Sequence, residues 1–365
     1  MQASKAAAYD IETNKAVTFS MGQAGAVVPY GNSLYFGVYP GGDIYQYDLS
    51  LPAGTGNPKR LFALENGQDR IGTGIAADNK IYFGSVSTYG QLGGAITSFD
   101  PQGGSTSYQV FRNAVQDQSV VSLAYKDGKL YGSTSINGGM AVDPKAAEAK
   151  LFVWDTVKEE KITEFSLDIP GLSKPSAIGG LTFGPDGLLW GGVNGFIFAI
   201  DTATLKVVKS YNVNPADNGT ALRWGNYNLA WTKNGILIAN LTKKLYAIDP
   251  NTFDFKELSD TESFTLGPDG NLYYAPSHNR TLMYRIKINT QTGPETPGSP
   301  EQAEDVNGDG KVDELDVKLV AGHIGTVVNE NSRSLDINGD GVIDIADLGL
   351  VVLQLDPMGM REANP

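Results

Sequence analysis

Residues 33–49 read SLYFGVYPGGDIYQYDL. Two short aromatic runs flank a Tyr-Pro-Gly-Gly turn, and the alternation through Ile44, Tyr45, Gln46 and Tyr47 marks the second run as a strand. The same phrase recurs as KIYFGSVSTYGQLGGAITSFDP, as KLYGSTSINGGM with a longer insert before AKLFVWD, and as LLWGGVNGFIFAID, GILIANLTKKLYAID and NLYYAPSHNRTLMYRIK. The copies close on Asp48, Asp100, Asp155, Asp201, Asp249 and Lys287, at blade-sized intervals of which the last is the shortest. Asp-Gly turns at Asp186-Gly187 and Asp269-Gly270 join strands as hairpins. Each copy is therefore a small antiparallel sheet that cannot cover its own apolar faces. Copies packed face to face and closed radially predict an all-β propeller over residues 1–288. The stretch AAAYDIETNKAVTFS reads as the last two strands of a further copy, ending at Asp10. Six full copies and a half predict a seven-bladed plan, in a chain cut from something longer.

Composition narrows the function. The 365 residues are 41% apolar and 19% charged, which is a folded chain, and 44 Gly with 18 Pro make it rich in turns. The net charge is −13, and residues 301–365 hold 14 acidic against 4 basic side chains. That balance excludes a nucleic-acid groove, which needs clustered Lys and Arg. With no Cys and only His278 and His323, thiolate sites, disulfides and multi-histidine metal sites are excluded too. No apolar run is long enough for a membrane span, and the first twenty residues carry no export signal.

Residues 289–304, NTQTGPETPGSPEQAE, have almost nothing to bury and read as a linker. Behind it stand two twelve-residue loops of matching pattern, at 305–316 and 336–347. Asp305, Asn307 and Asp309 supply side-chain oxygens at positions one, three and five, Lys311 a carbonyl at seven, Asp313 a water-mediated contact at nine and Asp316 a carboxylate at twelve. Asp336, Asn338, Asp340, Val342, Asp344 and Asp347 repeat the set, and Gly310 and Gly341 make the sharp turn at six. Ca²⁺ takes six to eight hard oxygen ligands, so this spacing predicts two EF-hand-type calcium loops. A helix follows each, with Leu315, Leu319 and Val320 on one face of the first and Leu348, Val351, Val352 and Leu355 on one face of the second.

A loop-then-helix duplicate behind a Pro/Thr linker resembles the type I dockerin of bacterial polysaccharide-degrading systems, over residues 305–356, with a tail at 357–365. The resemblance implies a small all-α module that binds two Ca²⁺ and docks to a cohesin domain through loop positions ten and eleven, here Glu314, Leu315, Ile345 and Ala346. The two pairs differ and neither is the Ser-Thr type common in the family, which speaks against two equivalent docking modes. An extracellular or cell-surface location follows, for a mature fragment.

Residues 5 to 288 resemble propellers of the streptogramin-lyase-like and YVTN-like families, a likeness that specifies architecture. Its candidate ligand loops are 39–43, 86–94, 133–150, 194–195, 240–243 and 276–282, with inter-blade segments at Asp69-Arg70, Asp117 and Arg223-Trp224. His278 is the one candidate general base, without an identifiable carboxylate partner. Tyr39, Tyr89, Trp224 and Trp231 offer flat faces to sugar rings, although strand aromatics more often fill the core. The leading reading is a binding or spacer propeller in a polysaccharide-degrading assembly. A lyase or glycosidase with its site at the propeller mouth is the alternative, followed by a cell-surface interaction protein.

Overall fold

The aspartates that close the sequence repeats bend the chain. Each carboxylate accepts the backbone N–H two residues on: Ser50 at 2.9 Å for Asp48, Gln102 at 2.9 Å for Asp100, Val157 at 2.9 Å for Asp155, Ala203 at 2.8 Å for Asp201 and Asn251 at 2.7 Å for Asp249. These Asx turns satisfy donors that a tight turn would otherwise leave without partners. The computed structural model describes residues 5–10, 13, 15–54, 56–217, 223–225, 227–277, 282–288, 304–307, 311–326, 328, 332–338 and 341–354. The chain divides into two compact units, Met1–Thr290 and Gln291–Pro365.

In the first unit a hairpin, β1 (Lys5–Asp10) and β2 (Lys15–Ser20), precedes a run of antiparallel meanders. Blade one is β3–β6 (Gln23–Tyr30, Ser33–Tyr39, Asp43–Asp48, Lys59–Ala63) and blade two β7–β10 (Gln68–Ala77, Lys80–Ser87, Ala95–Phe99, Tyr108–Arg112). Blade three is β11–β14 (Ser119–Lys126, Lys129–Ser135, Leu151–Asp155, Glu160–Phe165) and blade four β15–β18 (Gly179–Phe183, Leu189–Val193, Phe196–Asp201, Lys206–Asn212). Blade five is β19–β22 (Asn228–Trp231, Leu237–Leu241, Lys244–Ile248, Phe255–Leu266), and β23 (Leu272–Pro276) and β24 (Tyr284–Ile286) extend its sheet to six strands. First strands of consecutive blades pack on one another, β3 on β7, β7 on β11, β11 on β15 and β15 on β19.

Second strands are buried on both faces, so their apolar and small residues do not alternate with exposed polar ones. Adjacent residues serve opposite neighbours. Phe83 packs with blade one and Tyr82 with blade three; Leu130 faces blade two and Tyr131 blade four; Leu189 faces blade three and Trp190 blade five. In blades three and four the glycine within this strand makes room for the partner strand's ring, and in blades one and two Gly37 and Gly84 make room for Ile71 and Val120. A Cβ on Gly132 would lie 2.0 Å from the Phe152 ring, and one on Gly191 2.5 Å from the Phe198 ring. Burial between blades thus explains the aromatic-Gly phrase of the repeat.

The seven-bladed plan does not hold: among the described residues five blades form. The sixth copy, which closes the shortest interval, builds no four-stranded sheet of its own among the described residues. β22 runs unbroken, its first half pairing with β21 and its second with β23. The N-terminal half-copy has no inner strands to join, so β1 and β2 form a two-stranded sheet. Its Phe19 and the adjoining Met21 pack on Phe36 and Val38 of blade one.

In the second unit α1 (Glu314–Ala321) and α2 (Ile345–Gln354) flank a 3₁₀ turn at Arg333–Leu335. Val320, Leu335, Ile343 and Val351 are its buried core. Four contributing pairs, Val306/Ile337, Val312/Ile343, Val317/Leu348 and Val320/Val351, share the offset that separates the two loops, so the duplication is built into the packing. The expected helix faces need correction. Leu315, Leu319 and Val352 are exposed, because Asp316, Val317 and Val320 set the inward side of α1, and Leu348 and Val351 that of α2. Leu355 lies outside the described residues. Among the described residues no helix is long and apolar enough to cross a membrane.

Candidate functional site

The two loops of the C-terminal unit close on their last residue. Asp316 and Asp347, at position twelve, are both fully buried. Asp316 accepts the N–H of Asn307 at 3.1 Å and of Asp313 at 2.8 Å; Asp347 accepts those of Ile337 at 2.8 Å, Asn338 at 3.1 Å and Asp344 at 2.9 Å. Burial pushes the Asp347 carboxyl up, but the N–H groups of Asp344, Asn338 and Ile337 more than offset this and hold it below the usual carboxylate range.

Position nine has a role the sequence reading missed. Asp313 caps α1 by accepting the N–H of Leu315 at 2.8 Å, and with Asp316 it forms a reciprocal capping box. Asp344 plays the same part at the start of α2, accepting from Ala346 at 2.7 Å. The signal was present as Asp-x-x-Asp before each apolar run. Because positions nine and twelve both turn into the loop, the intervening positions ten and eleven stand outward, and Glu314, Leu315, Ile345 and Ala346 are all exposed. Ile345 is 71% accessible and Leu315 54%. Leu315, Lys318, Leu319 and His323 help line a shallow depression of about 490 Å³.

These residues fit a hard cation. Asp316 and Asp347 are buried carboxylates with no Lys or Arg partner among the described residues, and burying such a charge uncompensated is costly. Each retains lone pairs beyond its backbone hydrogen bonds. Asp336 is held by the N–H of Gly341 at 3.0 Å, while Asp309 and Asp340 lie outside the described residues. Among the described residues no group of three or more acidic or histidine side chains is gathered as a metal site. Asp305, Asn307, Lys311, Asn338 and Val342 lie on the same two loops.

In the first unit the antiparallel register gathers the candidate loops at one edge. Gln23 pairs with Tyr39, Gln68 with Ser87, Ser119 with Ser135 and Asn228 with Asn240, so starts of first strands lie beside ends of second strands. Blades are bridged there by Gly42 N–H to Asp69 C=O at 2.8 Å, Gly94 N–H to Gln118 C=O at 2.8 Å and Ile136 N–H to Ser176 C=O at 2.9 Å. Tyr39 and Trp224 come together through Arg70, which the sequence reading had placed only in an inter-blade segment. Its guanidinium lies 4.0 Å from the Tyr39 ring centre and 5.0 Å from that of Trp224. Trp224 is anchored by its indole N–H to Gly138 C=O at 3.0 Å. Tyr89 stands 73% exposed outside this stack, and Trp231 packs edge-on against Trp190 in the core. His278 lies outside the described residues.

Comparison with known proteins separates the two units. The profile of the dockerin type I domain matches residues 303–356, and domains of that type are calcium-binding. A search of curated proteins gave no match. The WD40 β-propeller domain of Doa1 superposes with a TM-score of 0.54 at 15% identity, over 78% of this chain and 86% of that one. The β-propeller domain of Myceliophteria thermophila Cps50 (Swd1) gives 0.55 at 12% identity, over 78% and 91%. A chain of the mitotic checkpoint complex gives 0.53 at 14%, over 74% and 78%. At such identities the likeness concerns the fold alone. The chain therefore carries a type I dockerin domain at residues 303–356 behind an N-terminal β-propeller.

Proposed function

We propose that this protein is a component of an extracellular or cell-surface polysaccharide-degrading assembly, tethered to a cohesin-bearing partner by its dockerin. Residues 1–288 are the propeller, 289–304 the linker, 305–356 the docking module and 357–365 a tail. The propeller serves as a binding or spacer module. The carrying observation is the matched burial of Asp316 and Asp347, which fastens both loops and turns positions ten and eleven outward. Two Ca²⁺ ions offset the crowded carboxylates. Asp305, Asn307, Asp309, Lys311, Asp313 and Asp316 hold one, the last four through a side chain, a carbonyl, a water and a side chain in turn; Asp336, Asn338, Asp340, Val342, Asp344 and Asp347 hold the other in the same manner. Glu314, Leu315, Ile345 and Ala346 form the docking face.

Capture of the full chain on an immobilised type I cohesin tests this. Binding in millimolar calcium that disappears in excess chelator and returns on recalcification supports the reading. Calcium-independent capture, or none with any cohesin of a panel, sinks it.

A further inference from the structure

We propose that Arg70, with Tyr39 and Trp224, forms an anion-reading site at the propeller mouth that takes the carboxylate of a uronic acid unit in an acidic polysaccharide. The polysaccharide context rests on the reading above; the site itself rests on geometry. Tyr39 ends the second strand of blade one, Arg70 lies in the first strand of blade two, and Trp224 stands before blade five. Three distant parts of the chain therefore meet at one guanidinium, 4.0 Å and 5.0 Å from the two ring centres.

Arg70 is half-buried and has no hydrogen-bond acceptor or carboxylate among the described residues. Other arginines differ: Arg60 pairs with Asp43 at 2.7 Å, Arg112 reaches Leu92 C=O at 3.4 Å and Arg223 reaches Gly139 C=O at 2.8 Å. The adjacent acid is engaged elsewhere, since the Asp69 carboxylate accepts the Gly41 N–H at 2.6 Å. Aromatic rings occupy the faces of a guanidinium and leave its N–H edge free. That edge matches a planar carboxylate in a bidentate pair, a fit that a compact ammonium does not offer. Tyr and Trp beside it supply the apolar area on which a sugar ring rests.

The arrangement is held before any ligand arrives. The Arg223 carbonyl accepts from the Ser135 hydroxyl at 2.6 Å and the Asn137 amide at 2.8 Å, fixing the segment that carries Trp224. The Arg223 guanidinium lies 5.8 Å from the same indole and adds a second positive charge. A preorganised site loses less conformational freedom on binding.

Titration calorimetry of the full chain with oligogalacturonate, its methyl ester and a sulfated neutral oligosaccharide tests the site. Oligogalacturonate should bind, the ester and the sulfated oligomer at least about tenfold more weakly. Arg70→Gln should lose about tenfold or more, with Arg70→Lys intermediate because it keeps charge without the fork. Circular dichroism checks that both variants fold, and Arg70→Lys alone carries the test if the other does not. Equal binding of acid and ester, preference for the sulfated oligomer, unchanged affinity in the Arg70 variants, or no binding at all would overturn the proposal. Cohesin capture by the same samples separates this failure from that of the tethering reading, which predicts capture in every case.

Discussion

Asp316 and Asp347 occupy equivalent, fully buried positions in the two loops, each with its carboxylate fastened to the N–H of loop positions three and nine. One side chain thereby fixes the loop, caps the box at the helix start and places a negative charge inside. A unit with so small a core gains little from apolar burial. Its folding should be coupled to whatever neutralises those charges.

Calcium removal should therefore unfold the C-terminal unit and leave the propeller intact. Scanning calorimetry of the full chain should show two transitions. Calcium at about a hundred times its dissociation constant should stabilise the weaker one by about 2.7 kcal/mol for each of the two ions bound. Asp316→Ala together with Asp347→Ala should abolish that response. A calcium-independent lower transition in the wild type would contradict the coupling.

Docking should depend on Leu315 and Ile345, the exposed apolar residues at positions eleven and ten of the two copies. Leu315→Asp or Ile345→Asp should weaken cohesin capture without changing calcium affinity, because neither side chain faces a loop interior. A residue central to the interface should cost about 2 kcal/mol, near thirtyfold. The copies present different residues, so the two losses should be unequal. Equal losses would point to equivalent docking modes.

Local chemistry was legible in the sequence where one segment suffices to produce it. Asp48, Asp100 and Asp249, which close their copies in the sequence, make Asx turns at those strand ends, and the spacing of the two loops located Asp316 and Asp347. Blade number was not legible, since it depends on which strand β22 pairs with along each half of its length. Helix periodicity grouped Leu315, Leu319 and Val320 on one face, but only Val320 of the three is buried, because Asp316 turns inward to close the loop and rotates Leu315 and Leu319 out. Arg70 was legible only as part of an inter-blade segment; its stack was not, because Tyr39 belongs to the preceding blade and Trp224 lies three blades further along the chain.

The Asp-Gly turn of blade four should be a measurable support of the propeller. Asp186 accepts the N–H of Leu188 at 3.2 Å and the indole N–H of the fully buried Trp190 at 3.1 Å. Gly187 adopts a φ of +75°, which a side chain would strain. Asp186→Ala leaves the buried indole donor unpaired and should cost about 1–3 kcal/mol. Chemical denaturation of the full chain, read by tryptophan fluorescence, measures it. A loss no larger than that of an ordinary surface substitution would mean that water replaces the carboxylate.

Acid should weaken the propeller in part through Glu164 on β14. Burial pushes its carboxyl up, but ion pairs with Lys150 at 2.5 Å and Lys161 at 2.6 Å outweigh this and hold it below its ordinary value of 4.5. A depressed folded-state value means the unfolded chain takes up the proton first as pH falls. The stabilisation is therefore complete well above pH 4.5 and fades as pH drops through the depressed value. All three side chains are partly exposed, so solvent screening limits the contribution to about 1 kcal/mol. Glu164→Gln should lower the propeller's melting temperature at pH 7 by about 2–4 °C. That gap should close in acid, where the wild-type carboxyl is also neutral. Asp48 and Asp155 are depressed as well, by hydrogen bonds within their own turns, and Asp269 by the Tyr273 hydroxyl and its own turn, but these groups titrate identically in both proteins and cancel in the difference. A gap that stays constant from pH 7 to pH 3 would show that the two lysines stabilise the strand by packing rather than by charge.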